Sequence, residues 1–155
     1  MTIKRILVPV DFSATSMQAL DYAIEFCKPF GAELVVLSTI EPFYSAMPPD
    51  LYGPAANSAM LLDSQRQAAR EEMSRLEATL SKRRVNFRTS VQVGVPYQVI
   101  VDEAKRRKVD LIVMSTHGRT GLSHALLGSV TEKVVRTAEC PVLTIRGAKR
   151  RAKSR

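Results

Sequence analysis

Three uninterrupted apolar runs constrain this chain more than any other feature: Ile6-Leu7-Val8, Leu34-Val35-Val36-Leu37 and Leu111-Ile112-Val113-Met114. Each is far below the ~18 residues of a membrane span. Each is also too continuous for a strand with one wet face. Runs of this kind belong to strands buried on both faces, as in a parallel sheet covered by helices. The segments between them carry the complementary period. Met17, Leu20, Ile24 and Cys27 repeat at helical spacing, as do Ala69, Met73, Leu76 and Leu80.

A strand is predicted over Ile3–Pro9, then a turn at Asp11-Phe12-Ser13, with Ser13 or Thr15 capping a first helix that Pro29 and Gly31 stop. Glu33–Ile40 reads as the second strand. Residues 41–57 contain Pro42, Pro48, Pro49, Gly53 and Pro54, which forbid regular structure. The aromatics of this long connection make it a candidate lid. A helix is expected over 58–83 and a third strand over Val85–Val93. Gly94-Val95-Pro96 turns into a third helix that buries Ile100, Val101 and Ala104. Val109–Ser115 reads as the fourth strand and 116–127 as a loop. A fourth helix starts near Ser129, where Ser129-Val130-Thr131-Glu132 has the form of a capping box. Pro141–Arg146 closes the chain as a fifth strand. Strand and helix alternate throughout. The expected fold class is therefore α/β: a single doubly wound domain, a five-stranded parallel sheet with helices on both faces. Right-handed crossovers restrict its topologies, and the expected strand order is 3-2-1-4-5. The domain is drawn as 1–147, followed by a basic tail, 148–155, too charged to pack. Ligands of such sheets sit at the carboxyl ends of the strands, where the strand order reverses.

The net charge of +8 suggests nucleic acid, but residues 149–155 carry five cations and no acid, leaving +3 for the rest. Lys82-Arg83-Arg84 and Lys105-Arg106-Arg107-Lys108 close helices, where cations suit the negative end of the helix dipole. The charge thus reads as a solvated tail plus helix-end cations rather than a nucleic-acid surface, with weak contact through the tail as the alternative. Cys27 and Cys140 have no metal spacing and read as reduced thiols, which fits a reducing compartment. With no span and no signal-peptide pattern, the expected location is cytoplasmic, with no membrane partner.

Chemistry concentrates after the fourth strand, in Ser115-Thr116-His117-Gly118-Arg119 and Gly128-Ser129-Val130-Thr131. The first amides of a helix lack partners within it and suit phosphate. Gly128 permits close approach of a ligand, Ser129 and Thr131 carry hydroxyls, Gly118 turns the loop back, and Arg119 supplies a phosphate fork. The same residues also read simply as a cap and two turns. There is no G-x-x-x-x-G-K-[ST] and no G-x-G-x-x-G, so neither a P-loop nor a dinucleotide site is indicated. His117 and His124 have no nucleophile or carboxylate at a suggestive spacing, and no catalytic residue or metal cage is assigned.

This stretch resembles the universal stress protein family, whose nucleotide-binding members show G-x-x-G-x9-G-[ST]. Ser115, Gly118, Gly128 and Ser129 occupy those places and the nine-residue spacer 119–127 is kept. Ile6 to Ser13, Gly94-Val95-Pro96 and Cys140-Pro141-Val142-Leu143 match the family's habits as well. The resemblance implies that Pro9, Val10 and Asp11 lie near ribose and adenine, that Thr39 edges the base, and that Met114 and Ser115 flank the sugar. Gly118, Arg119, Gly128, Ser129, Val130 and Thr131 would then surround the phosphates. It implies ATP, or another adenine nucleotide such as AMP or cyclic AMP, with Mg2+ arriving on the phosphates. It further implies a stress-response or signalling module, dimeric through the edge strand at 142–145. Ser115 departs from the pattern's first glycine, and if that position needs a positive φ the serine is a handicap. The alternatives are a slow ATPase or nucleotidyl-transfer-like enzyme, and a nucleotide-free dimeric interaction module.

Overall fold

The computed structural model describes residues 2–42, 55–116 and 127–147. The elements run β1 (Arg5–Pro9), α1 (Ala14–Phe30), β2 (Glu33–Ile40), α2 (Ala55–Leu80), β3 (Phe87–Val93), α3 (Pro96–Arg106), β4 (Leu111–Ser115), α4 (Ser129–Thr137) and β5 (Val142–Ile145). All five strands pair in parallel, as the alternation of strand and helix implies, and they stand in the expected order β3-β2-β1-β4-β5. Among the described residues no helix is long and apolar enough to cross a membrane.

The continuous runs are continuous because both faces of the sheet are covered. Ile6, Val8, Leu34, Val36 and Val113 turn to one side, against Leu20, Ile24 and Cys27 of α1 and Met73, Leu76 and Leu80 of α2. Leu7, Val35, Leu37, Ile112 and Met114 turn to the other, against Ile100 and Ala104 of α3 and Val134 of α4. Alternation along each strand, with a period of two, feeds two cores at once. Burial pushes the Cys27 thiol up to about 11, and burial also raises that of Cys140. Both are free thiols, protonated at neutral pH.

Several boundaries differ from the expected ones. Pro29 does not stop α1, which runs through it to Phe30. A proline in the last turn removes a single amide and leaves only the Glu25 carbonyl without its helical donor. Gly31 ends the helix instead, with φ 61° and the C-cap amide bonds to the Cys27 and Lys28 carbonyls. α2 begins and ends three residues earlier than expected, and Ser81–Arg84 form a turn. Ile3, Val85 and Val109 are apolar but precede strand pairing, so strands β1, β3 and β4 start two residues later than their runs.

Candidate functional site

The reversal of strand order falls between β1 and β2 on one side and β4 on the other, and a cleft of about 620 Å³ opens at their carboxyl ends. Its floor is built from the exits of three strands. Beyond β1, the Val10 amide donates to the Leu37 carbonyl at 2.8 Å, which holds the Pro9-Val10-Asp11 segment against β2. The Asp11 carboxylate accepts from the Ser13 amide at 3.0 Å and the Ser13 hydroxyl at 2.6 Å. Ser13 Oγ in turn accepts from the Ser16 amide at 3.2 Å as the α1 cap. Phe12, between them, takes φ 61°, a conformation that disfavours a bulky side chain. Strain of this kind gathers where backbone must be held close to a site. The turn and the cap that Asp11 serves therefore fix its carboxylate at the rim of the cleft.

On the other side β4 ends at Ser115, and two bonds tie that end to α4. The Gly128 amide donates to the Thr116 carbonyl at 2.7 Å. The buried Thr131 hydroxyl donates to the Ser115 carbonyl at 2.9 Å. The Thr116 amide also donates to the Ile145 carbonyl at 3.0 Å, so β5 joins the same corner. The Thr131 hydroxyl, one of the two noted in the sequence at this end, thus spends its proton inside the protein. Its role here is to brace the first turn of α4 against the strand.

The expected capping box at Ser129 does not form. Gly128 occupies the cap position at φ −68°, ψ 153°, Ser129 is the first helical residue, and no side-chain cap bond is made. A box needs its serine outside the helix in extended backbone, and here the glycine holds that place. The opening amides of α4, which have no partner within the helix, receive no side-chain cap bond from the cap residue Gly128 and stand beside the cleft. Ser115 also answers the question its sequence position raises. It lies in β4 and is not among the residues of positive φ, so serine there carries no backbone handicap.

All ten of the expected site residues that are described line this one cleft: Pro9, Val10, Asp11, Thr39, Met114, Ser115, Gly128, Ser129, Val130 and Thr131. Gly118 and Arg119 lie outside the described residues, as do His117, His124, most of the candidate lid (43–54) and the tail from 148. Sequence reasoning missed a second set. Gln65, Ala68, Ala69 and Glu72 bring one face of α2 to the cleft, and Pro96 and Ile100 bring the start of α3. Pro96 was within reach, since it follows the exit of a strand at the same edge of the sheet. The α2 face was not, because its place depends on how that helix crosses the sheet after a long connection.

The charge of the cleft is uneven. Asp11, Glu41 and Glu72 line it, and no Lys or Arg does among the described residues. Carboxylates suit the hydroxyl and amine donors of a nucleoside, whereas the start of α4 suits an anion. The two ends of the cleft thus offer opposite chemistries.

Comparison with known proteins agrees with this architecture. The model of the universal stress protein family matches residues 2–146. The universal stress protein MJ0531 of Methanocaldococcus jannaschii is 35% identical over 150 residues, spanning 95% of this chain and 84% of that one. The solved structure of protein MJ0577 superposes with a TM-score of 0.85 at 29% identity, covering 96% of this chain and 99% of that one. UspA from Lactobacillus plantarum superposes with a TM-score of 0.82 at 28% identity, covering 94% and 99%. Sheet order, cleft position and the match along nearly the whole length lead to one assignment: the chain belongs to the universal stress protein family.

Proposed function

We propose that this protein binds an adenine nucleotide, ATP in the first instance, in the cleft between the exits of β1 and β4. In this reading it serves in the cytoplasm as a stress-response or signalling module. The observation that carries the reading is the pairing of a helix start at Gly128-Ser129-Val130, whose cap residue has no side chain, with a carboxylate-lined pocket wall beyond β1 and β2. Phosphates take the α4 amides, with Gly118 and Arg119 completing that end. The nucleoside takes Pro9, Val10, Asp11, Thr39, Met114 and Ser115. The described lining contains acids and no fixed cation, so triphosphate charge calls for Mg2+ carried in on the phosphates. No group of three metal-ligating side chains is present among the described residues. Mg2+ held mainly by phosphate oxygens and water fits such a site.

Two solved structures of this fold bear on the ligand. One is described as a universal stress protein in complex with cAMP, at 23% identity and a TM-score of 0.61. Another, from Archaeoglobus fulgidus, is described in complex with dAMP, at 22% identity and a TM-score of 0.66. Their likeness to this chain is one of fold. In those proteins the scaffold accepts adenine mononucleotides, so AMP and cyclic AMP stand beside ATP as ligands to test.

The test is direct. The protein is purified without added nucleotide and its bound small molecules are identified by mass spectrometry. Calorimetry then compares ATP, AMP and cyclic AMP, each with and without Mg2+. An adenine nucleotide in the purified protein, or saturable binding of one of the three, supports the reading. Neither would point to an interaction module without a ligand.

A further inference from the structure

The end of the molecule opposite the cleft carries a row of cations, and the backbone is bent to display two of them. The strand entries lie side by side there. The Glu33 amide donates to the Lys4 carbonyl, the Leu34 amide to the Asn86 carbonyl, and the Asp110 amide to the Arg5 carbonyl. These bonds place Lys4, the Lys82–Arg84 turn and Lys108 along one edge of the sheet. From β3 to β4 that edge spans three strand spacings, about 14 Å.

Lys4, Lys82, Arg84 and Lys108 are all exposed, and none of their side chains makes an ion pair among the described residues. The acids of the same edge are already engaged. Glu33 sits between Arg5 and Arg88. Asp110 accepts the Lys4 and Arg5 amides at 2.7 and 2.9 Å. The row is therefore a surplus of positive charge rather than half of an ion-pair network.

The backbone adds a separate observation. Three turns at this end use the left-handed conformation. In the turn after α1 it falls on Gly31 at φ 61°, where glycine carries no steric cost. In the turns after α2 and α3 it falls on Arg84 at φ 54° and Lys108 at φ 52°. These are long side chains where glycine or asparagine is favoured. Cations that merely complement a helix dipole have no need of this position, because any place in the last turn serves. A strained residue is grounds for a functional hypothesis when the strained side chain is itself the exposed charge.

We infer that this edge is a binding surface for the phosphate backbone of single-stranded nucleic acid, independent of the nucleotide cleft at the other end. A linear row suits a linear polyanion. Phe30, 48% exposed, closes α1 just before the Gly31 turn that leads into the row and offers a face on which a base can stack. Contact through phosphates implies affinity without sequence preference and with strong salt dependence.

The test uses the full chain, tail included, with fluorescein-labelled oligouridylate read by anisotropy across a salt series. The key variant combines Lys82→Ser, Arg84→Gly and Lys108→Gly, and a second uses Arg84→Asn and Lys108→Asn with Lys82→Ser. The expected result is at least tenfold weaker binding at low salt. The slope of log affinity against log salt becomes shallower by about 2, some 0.7 for each cation removed. Tm is expected to stay equal or rise, because the strained turns are relieved. Unchanged affinity and slope in both variants would assign oligonucleotide binding to the tail and overturn the proposal. So would tighter binding of the wild type to phosphatidylserine vesicles than to oligouridylate, which would make the row a membrane contact. A marked fall in Tm in both variants would remove the argument that these turns sacrifice stability for charge.

Discussion

Gly128 and Ser115 show how differently two residues of one motif can work. Gly128 sits at φ −68°, ψ 153°, a conformation open to any residue, so its value lies in space and not in backbone freedom. Gly128→Val is therefore expected to fold, with about 1 kcal/mol less stability from the poorer cap, and to lose ATP binding in calorimetry. Equal affinity in mutant and wild type would remove the phosphates from this place. Ser115→Gly, by contrast, should not tighten ATP binding, because no positive φ is relieved. It should lower stability by about 0.5–1 kcal/mol, as glycine does in a strand, which chemical denaturation can read. Away from the cleft, Glu103 is 2% exposed and accepts from Gln92 at 2.9 Å and from Arg106 and Arg107. Burial pushes its carboxyl up, but the hydrogen bonds from Arg107, Gln92 and Arg106 and the Arg107 charge outweigh that and hold it below its ordinary value. Its contribution is thus fully present above the unfolded carboxylate value, about 4.3, and is lost as pH falls through the lowered folded value. Glu103→Gln should cost about 2 kcal/mol at pH 7, and the acid limb of its stability curve should be flatter than the wild type's. Urea midpoints from pH 7 down to pH 3 would show both effects.

At the level of elements, the strands were legible because burial on both faces writes itself as uninterrupted apolar sequence, and the neighbouring of β1 and β4 was legible because the chemically suggestive residues cluster after those two strands. The helix ends were less legible. Proline in α1 and the serine of α4 each suggested a boundary that tertiary context moved, by one residue at Ser129 and by a turn's tolerance at Pro29. The walls of the cleft supplied by strand exits were legible for the same reason as the strands. The α2 wall was not, since Ala68 and Ala69 look like ordinary helix residues until the helix is placed. The β5 edge carries a further expectation, a homodimer. The Pro141 and Ile145 carbonyls accept from Ile112 and Thr116 of the β4 side. By alternation along the strand, the amides of Val142 and Thr144 point away from β4 to the open edge. An apolar open edge invites pairing with a second copy. Thr144→Pro deletes one outward amide and leaves the β4 ladder intact, the one kind of strand position where proline is tolerated. If two copies pair through this edge, light scattering should show the variant falling to a monomer with its fold preserved. A dimer of undiminished stability would place the interface elsewhere.

Across the whole molecule, the two ends of the sheet differ in the side-chain charge they offer to a ligand. Asp11, Glu41 and Glu72 border the cleft at the carboxyl ends, while Lys4, Lys82, Arg84 and Lys108 stand at the opposite edge. A nucleotide polyphosphate in the cleft places its charge beside a described lining that contains Asp11, Glu41 and Glu72 as well as the start of α4. Free ATP is consequently a poor match for the cleft, and ATP with its charge reduced by Mg2+ a better one. The same argument ranks the ligands: removing Mg2+ should weaken ATP far more than AMP, whose single phosphate reaches the α4 amides with less charge to place near the acids. Because a ligand that binds only the folded state stabilises it by mass action, the effect is readable without an activity assay. At a hundredfold excess over Kd the gain is about 2.7 kcal/mol, which for a domain of this size is a Tm rise of roughly 6–10 °C. Thermal melts with ATP and Mg2+ should show that rise, melts with ATP and EDTA should lose most of it, and melts with AMP should be nearly insensitive to EDTA. A rise with ATP that survives EDTA undiminished would mean that fixed cations of the protein neutralise the phosphates, with Arg119 the first to replace.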